Sequence, residues 1–467
     1  MRVRRRDVLK VAASAAAAAA AAKVTGRNAW ASSSTRIVRD VCVLGGGSAG
    51  TYTAIRLRNL GKSVVVLEKE SRLGGHAQTL FVDNVPINIG VQVFEGQSPL
   101  VTSYCSQLGV PLVNAPLGGG PPAVNFDFRT GQPVTITPPS PVAFETAFGT
   151  YFEVLATQFP YLDSGFNLPN PVPADLLLPF GDFATKYGLD PLVPTAFEFG
   201  QGLGDMLGDP AIYVLKNFSL SVVSAIATSS FVAVPTGTAS LYDAAAAKLG
   251  ADAVVNAQIV VAVRNAKGVE VLAETPNGPV LVQAEKLVVA FPPTLENLAV
   301  LIPDFREVSL FDRLRANYYA TSLVQVSGIP AGVGVNNAAA DTRDNLPRLP
   351  GLYGLQPTFL PGYFVALYGN TSWLPDDLVK ADIVAGIERL AASGTFPGMT
   401  FGGFKAFSSH APFEMMVSSQ DIAAGFYTQL NALQGHNRTF YTGAALQTND
   451  SSLIWRFTEE ILPQIAS

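Results

Sequence analysis

The chain contains 467 residues, 48% of them hydrophobic, and its 36 acidic residues outnumber its 31 basic residues, giving a net charge of −5. This length is about three times that of a typical domain, so we expect one or two large domains with a sizeable core. The acidic balance disfavours nucleic acid and anionic membranes as partners, and the scattered histidines and two cysteines lack the spacing of a metal site.

Residues 1–31 have the pattern of an export signal. The paired Arg5 and Arg6 precede an alanine-rich run to Ala22, and residues 29–31 form a small-x-small cleavage site. Paired arginines are typical of twin-arginine export, which carries folded proteins, and an ordinary secretory peptide or a helical arm is the alternative. Cleavage removes seven basic residues and one acidic residue, so the mature chain carries a net charge of −11. We expect the mature protein in the periplasm or outside the cell.

Residues 41–68 read as strand, glycine turn, helix, strand and acid. Gly45 permits a tight turn, Gly47 permits close approach to a pyrophosphate, and Gly50 permits packing of the helix on the strand. Glu68 ends the second strand about 20 residues later, where an acid accepts hydrogen bonds from an adenosine ribose. The pattern predicts a dinucleotide-binding unit, with a purely structural glycine turn as the alternative.

The residues that follow resemble the flavin-containing amine oxidase superfamily. Segment 72–76 (Arg-Leu-Gly-Gly-His) is similar to its Arg-x-Gly-Gly turn, and segment 85–90 to the next strand, which ends in glycine. His76 stands where members often have Arg, and Asn88 where they often have Asp. The resemblance implies FAD rather than NAD, held noncovalently because the Ser-Gly-Gly-Tyr-Cys attachment motif is absent.

The resemblance recurs in order along the chain, at 235–249, 255–263, 287–293, 440–443 and 453–462. Ala444 replaces the usual acid after the last glycine, and Asn449 or Asp450 is the candidate substitute. Three further patterns are similar to the branch that contains polyenoic fatty acid isomerase and beta-cyclopiazonate dehydrogenase, and these lie at 178–183, 210–216 and 418–435.

The resemblance implies an α/β fold, in which a discontinuous Rossmann-like FAD-binding domain carries an inserted α+β substrate domain. The expected FAD-binding segments are 35–115, 232–300 and 430–467, and the expected substrate segments are 116–231 and 301–429. Patterning in the insertions predicts a loop at 118–122, a hairpin at 124–136, a helix after Pro141, strands at 322–326 and 363–368, and a helix at 376–392. The insertions are rich in aromatic residues, which fits an apolar cavity, although most such residues belong to the core.

By the same resemblance, the cofactor residues come from both glycine turns, the acid between them, and two later strands. They are Gly45, Gly47, Ser48, Ala49, Gly50, Glu68, Lys69, Arg72, Gly74, Gly75, His76, Val260 and Gly443. A bound flavin accepts a hydride at N5, so the protein has only to place a C–H bond and exclude water. No Ser-His-Asp set is therefore required.

The candidates for an assisting catalytic role are His76, Lys216, Tyr368 and Lys405, for which a local hydrogen bond, packing or solvation is the alternative. We expect His410 and His436 at the surface, and Trp455 either beside the flavin or in the core. The predicted function is an exported FAD-dependent oxidoreductase that acts on an apolar small molecule, with oxygen or quinone as electron acceptor. A redox-neutral isomerase of unsaturated fatty acids and a noncatalytic flavoprotein are the alternatives.

Replacing both Arg5 and Arg6 by Lys is expected to block export without changing folding or FAD content, because the signal is read by a receptor and is not part of the fold. The measurement is the distribution of the protein between cytoplasm and periplasm in a bacterial host. A variant with Lys10→Arg is the matched control, and normal export of the double variant would point to a different route.

Overall fold

The computed structural model describes residues 34–115 and 123–467. The predicted signal at 1–31 and the predicted loop at 118–122 lie outside these residues. None of the described helices is long and apolar enough to cross a bilayer.

The described residues form mainly two β-sheets and the helices that cover them. The strands are β1 (Thr35–Leu44), β2 (Val64–Leu67), β3 (Thr79–Val82), β4 (Val85–Asn88), β5 (Phe94–Glu95), β6 (Val113–Asn114), β7 (Ala123–Asp127), β8 (Gln132–Pro133), β9 (Phe231–Ala233), β10 (Ala253–Val254), β11 (Gln258–Asn265), β12 (Gly268–Thr275), β13 (Gly278–Val289), β14 (Arg315–Ser327), β15 (Gly334–Asn337), β16 (Gly351–Pro357), β17 (Tyr363–Asn370), β18 (Thr400–Ser409), β19 (Phe413–Met416) and β20 (Thr439–Tyr441). The α-helices are α1 (Ser48–Asn59), α2 (Pro99–Gln107), α3 (Pro141–Gln158), α4 (Phe180–Tyr187), α5 (Val193–Phe199), α6 (Ala211–Asn217), α7 (Leu220–Ala227), α8 (Ala239–Leu249), α9 (Leu295–Leu298), α10 (Phe305–Phe311), α11 (Asp376–Ala392), α12 (Ser419–Ala423), α13 (Phe426–Asn431) and α14 (Ser451–Ala466).

The first sheet has the order β10-β2-β1-β13-β12-β11, with β20 also paired to β13. Strands β1, β2, β13 and β20 run parallel. Residues 41–44 and 64–67 are at most 1% exposed, because helices cover both faces of a parallel sheet and its strands are apolar throughout. The carboxyl ends of β1 and β2 bring Gly45 and Glu68 to the same edge, as the sequence pattern predicts.

The second sheet has the order β18-β14-β17-β16-β15-β7-β8. Side chains alternate along β14, so that Tyr318, Ala320 and Val324 pack in the core that also contains α11, while Leu323 packs with Ile87 and Ile89 at the β3–β4 hairpin. The predicted helix at 376–392 agrees with α11 at both ends. The predicted hairpin exists, but its second strand is only Gln132–Pro133.

The strands of the first sheet all lie within the segments expected to bind FAD, and those of the second within the insertions. The domain boundaries themselves stay predictions. The predicted strand at 255–263 begins later, at Gln258, because the chain takes a left-handed conformation at Asn256 (φ 52°).

A buried ion pair ties the end of the first sheet to helix α10. Arg264 on β11 forms two hydrogen bonds with Glu307, and both side chains are at most 4% exposed. The Tyr441 hydroxyl also donates to Glu307, over 2.6 Å. Desolvation raises the pKa of Glu307, but the hydrogen bonds and charge of Arg264 outweigh it and hold the pKa below 4.5. The carboxylate therefore stabilises the fold above pH 4.5, and this contribution is lost as the pH falls through the lowered value.

Arg264→Met is expected to destabilise the holoenzyme by about 3–5 kcal/mol, because it leaves Glu307 buried without its cation. Adding Glu307→Gln should restore part of this loss, since the unpaired charge is then removed. Asp190→Asn breaks the largely exposed pair with Arg343 and should cost only about 0–1 kcal/mol. Urea unfolding at pH 7 measures all three, and a double variant less stable than Arg264→Met would contradict the argument.

Candidate functional site

At two positions in the turn between β1 and α1, the backbone of the protein itself requires glycine. Gly45 has a φ of 95°, and a Cβ at Gly50 would lie 1.9 Å from the carbonyl oxygen of Gly45. Neither position therefore accepts a side chain without rearranging the turn.

Gly47 differs from these two glycines. It is the N-cap of α1 with φ −70° and ψ −168°, a conformation open to any residue. A Cβ there would meet only the Cα of Gly75, at 3.9 Å, among the described atoms. No side chain of the described residues caps this helix end, so its first amides point into open space. Such an uncapped helix N-terminus readily binds an anion. Since no protein atom crowds a Cβ at Gly47, we infer that glycine is needed there to leave room for a ligand.

Glu68 is 7% exposed and lies across this turn. Its Oε2 accepts from the Gly46 amide (2.6 Å) and its Oε1 from the Glu70 amide (2.8 Å). Each carboxylate oxygen keeps a further lone pair for a ribose hydroxyl. The chain bends at Asn256 to place the Ala257 amide 2.8 Å from the Glu68 carbonyl. Val260, the predicted adenine contact, lies three residues farther along, at an irregularity in β11.

The second glycine turn packs on the first, and a Cβ at Gly75 would lie 3.1 Å from the Cα of Gly47. Arg72 donates to the carbonyls of Leu73 (3.0 Å), Gly75 (2.8 Å) and Ala77 (3.0 Å). Its guanidinium therefore holds this turn in shape. The side chain of Lys69 is 71% exposed and faces Glu70, which gives no support to its predicted cofactor contact.

A second helix start converges on the same place. The Ser48 hydroxyl bonds to Ser451 (2.9 Å) and accepts from the Trp455 indole (3.0 Å), joining α1 to α14. Gly443 has a φ of 110°, and a Cβ there would lie 3.8 Å from Ala49. Of the two predicted substitutes for the missing acid, Asp450 caps α14 by accepting from the Leu453 amide.

His76, next to the second glycine turn, faces the second sheet. Its ring centroid lies 4.5 Å from that of His410 and 6.1 Å from that of Phe413. Its pKa is lowered to about 4, first by desolvation and then by Arg72 and Lys69. The side chain is nevertheless exposed, so the ring borders an open space, the hollow, that the described side chains do not fill.

His410 is 2% exposed, so the prediction that it lies at the surface is wrong. Its Nε2 lies 2.9 Å from the Thr321 hydroxyl, and desolvation lowers its pKa well below the usual value. Phenylalanines at 401, 404 and 407 in the strand before it are the sequence signal for burial that the loop interpretation missed. His436 is partly exposed and bonds to Asp304 at 2.6 Å.

Phe197, Tyr319, Tyr353 and Phe413 continue from His76 as an aromatic wall. Successive ring centroids are 4.9 Å apart for Phe413 and Tyr319, 6.2 Å for Tyr319 and Tyr353, and 5.4 Å for Tyr353 and Phe197. Desolvation raises the pKa of both tyrosines, so the wall is uncharged at neutral pH. These residues were not predicted, since aromatic residues of the core and of a pocket look alike in sequence.

Two candidate catalytic residues lie elsewhere. Tyr368 is on the α11 face of its strand, where its hydroxyl donates to Asp382 at 2.9 Å. That face is opposite the aromatic wall, because side chains alternate along a strand. Lys405 is exposed and lies 5.9 Å from the Tyr363 ring. The structure thus gives no support to either assignment.

Lys216 is 1% exposed and donates to the Leu162 carbonyl at 2.8 Å and to Gln447. Desolvation lowers its pKa to about 7. These bonds give it a packing role, tying α6 to the turn before α14. Trp455 is fully buried and stacks on Tyr52 at 5.2 Å, so packing accounts for it.

Comparison with known proteins identifies the family. Residues 43–108 match the NAD(P)-binding Rossmann-like domain. The chain is 37% identical to FAD-dependent oxidoreductase oblC of Cochliobolus heterostrophus, covering 92% of this chain and 91% of that protein. It is 36% identical to beta-cyclopiazonate dehydrogenase of Aspergillus oryzae, covering 92% and 94%. The chain belongs to this family of FAD-dependent oxidoreductases.

The fold of the oxidoreductase is that of the amine-oxidase flavoproteins. It superimposes on the CLA-producing fatty acid isomerase from P. acnes with a TM-score of 0.75 at 18% identity, covering 91% of this chain and 98% of that one. For putrescine oxidase bound to putrescine, the TM-score is 0.62 at 16% identity, with coverage of 92% and 99%. The predicted superfamily, fold class and cofactor are confirmed.

The residues of the oxidoreductase fit FAD. The open side of Gly47 and the uncapped amides of α1 suit its pyrophosphate, Glu68 suits the ribose, and Gly443 brings the α14 end to Ala49. FAD supplies a two-electron hydride acceptor when bound. The contacts of individual side chains with it stay predictions.

A pair of glycine variants separates binding from folding. Gly47→Ala should fold normally, because the protein leaves room for the methyl group, yet should weaken FAD binding by about 1–3 kcal/mol through overpacking, or about 5- to 150-fold. Gly50→Ala should lower the melting temperature of the apoprotein, because its Cβ meets the Gly45 carbonyl. Flavin titration and thermal unfolding measure the two effects, and full flavin affinity of Gly47→Ala would remove this turn from the site.

Proposed function

We propose that this oxidoreductase removes a hydride from an apolar organic substrate and delivers it to FAD N5. The observation that carries the proposal is the aromatic wall, which runs without a break from His76, beside the glycine turns, to Phe197. Uncharged rings bind by burial of apolar surface, which contributes about 25 cal/mol per Å². They also keep water from the reacting carbon.

The relatives support net oxidation. Beta-cyclopiazonate dehydrogenase and oblC are named for oxidation, and each is similar to this chain over more than nine-tenths of its length. We therefore place dehydrogenation first and redox-neutral isomerisation second. Under dehydrogenation, oxygen or a quinone would serve as the electron acceptor.

We also propose that the protein acts outside the cytoplasm. The pattern at 1–31 supports export, and the twin-arginine route suits an enzyme that folds around its cofactor before it crosses a membrane. The small-molecule substrate and the electron acceptor then meet the enzyme in the periplasm or beyond.

Apolar compounds should reduce the flavin faster than cationic amines of equal length. The rate should rise as methylene groups are added until the wall is covered, because each buried methylene contributes about 0.8 kcal/mol. An ammonium group would instead be desolvated against neutral rings, which is costly without a partner. The measurement is anaerobic bleaching of the flavin by matched pairs of unsaturated acids, indoles and primary amines.

Oxygen uptake and product mass separate the two reactions. Dehydrogenation gives a product two hydrogens lighter and consumes an acceptor, whereas isomerisation changes neither. Fastest reduction by short amines would favour an ordinary amine oxidase and contradict the proposed substrate class. Flavin that no compound reduces would favour a noncatalytic flavoprotein.

A further inference from the structure

His76 and His410 are far apart in the sequence, but the fold brings their rings into contact. His76 follows the second glycine turn, and His410 follows β18 of the second sheet. Their ring centroids are 4.5 Å apart at an interplanar angle of 74°. His76 is the nearest ring to His410, since Tyr319 lies at 5.7 Å and Phe413 at 6.4 Å. The proposed reaction has not yet used this pair.

The hydrogen bonds assign the tautomer of His410. The hydroxyl of Thr321 donates its one proton to the Ile89 carbonyl, so toward His410 it acts as an acceptor. His410 Nε2, which lies 2.9 Å from that hydroxyl and 3.3 Å from the same carbonyl, must therefore carry the ring proton. In the neutral ring Nδ1 is then a bare acceptor, and it has no partner among the described residues.

A buried acceptor without a donor is costly, and His76 stands beside it. At a centroid separation of 4.5 Å, rotation of His76 about its Cβ–Cγ bond brings a ring N–H within hydrogen-bonding reach of Nδ1. The other ring nitrogen of His76 then faces the hollow as a lone pair. Two neutral rings in series thus lead from the hollow to the Ile89 carbonyl.

We propose that His76 and His410 form a hydrogen-bond relay, in which His76 accepts the proton released by the substrate and His410 Nδ1 accepts a hydrogen bond from the N–H of the other His76 nitrogen. The relay rests on the proposed function, because oxidation of an H–C–X–H group releases one hydride and one proton. The hydride passes to FAD, a C=X bond forms, and the X–H proton passes to His76. His410 stays neutral and keeps its Nε2 proton, bonded to Thr321 and Ile89, while His76 carries the charge.

The charges around the pair keep both rings neutral at pH 7. Arg72 and Lys69 disfavour the His76 cation, His76 itself disfavours the His410 cation, and desolvation acts on both. Tyr319, the titratable group that stacks on His410, is also neutral. Because the pKa of His76 is lowered, the neutral ring, which can accept a proton, predominates at every pH above that value. The rate should therefore stay constant through the usual histidine value of about 6.5 and decline only toward about 4.

The three histidines of the chain make the pairing visible by ¹⁵N NMR of histidine-labelled holoenzyme, independently of activity. We expect His410 as the Nε2–H tautomer, neutral at pH 7. His410→Gln keeps a polar group for Thr321 but removes the Nδ1 acceptor, so it should change the tautomer ratio of His76. His436→Gln, which alters the pair with Asp304, is the control and should leave His76 unchanged. His76 signals unaltered by His410→Gln would overturn the relay.

Kinetics provide the second criterion. His410→Gln and His76→Gln should each lower kcat about 10²-fold or more, and the double variant should lose no more than the slower single one, since the two act as a unit. His410→Gln should retain its FAD and its KM but shift the acid limb of the pH profile to lower pH, because the His76 cation loses the acceptor that stabilises it. Additive losses, or an unchanged pH profile, would reduce His410 to packing. If no panel compound reduces the flavin, the proposed function and the relay both fail, even where NMR shows paired histidines.

Discussion

The contact between helix α1 and the turn that precedes it is the constraint on which the cofactor site depends. A Cβ at Gly50 would meet the Gly45 carbonyl at 1.9 Å, so the helix reaches this depth only because glycine stands there. The same approach places the uncapped end of α1 beside Gly75 and opposite Glu68. Helix α14 joins it through Ser48 and Ser451. The two helix starts and the acid thus surround one space, although they come from distant parts of the sequence.

The two faces of the second sheet have different surroundings, and only one of them contributes to the candidate site. One face carries α11 and an ordinary apolar core, and the other packs through Leu323 and Leu367 on Ile87 and Ile89. Along β14, alternate side chains therefore pack in the core on one face and at the candidate site on the other. Tyr319 contributes to the aromatic wall, whereas Tyr318, its neighbour on β14, packs toward α11. The aromatic wall is therefore built mainly from the insertions, whereas the glycine turn and Glu68 lie at the edge of the first sheet.

Buried polar groups join the parts. The pair between Arg264 and Glu307 connects β11, α10 and Tyr441 at the end of β20. Thr321 and His410 connect the second sheet to the Ile89 carbonyl. Each joint needs complete hydrogen bonding, because an unpaired buried group costs more than the bond contributes. Nδ1 of His410 is the exception among these groups, since it has no partner among the described residues. In the proposed relay it accepts a hydrogen bond from His76.

The sequence pattern was enough to predict the elements whose conformation depends on residues close to them in the chain. The glycine turn, the ends of α11 and the acid after β2 all follow from the spacing of glycines, apolar residues and charges over a few turns of chain. The strand expected at 255–263 failed at its start, because Asn256 bends to bring Ala257 to Glu68, a contact with a residue almost two hundred positions away.

By itself, the sequence determined the cofactor class, the α/β fold and the glycine turns of the first sheet, since these depend on backbone conformation that glycine and apolar runs encode directly. Only the tertiary structure decided which aromatic residues form a wall, that Tyr368 faces away from it, that Lys405 is exposed, and that His410 is buried beside His76. The reason is physical: the face of a strand that meets another sheet is set by packing between segments far apart in sequence, and no local pattern distinguishes a ring in a core from a ring that borders a hollow.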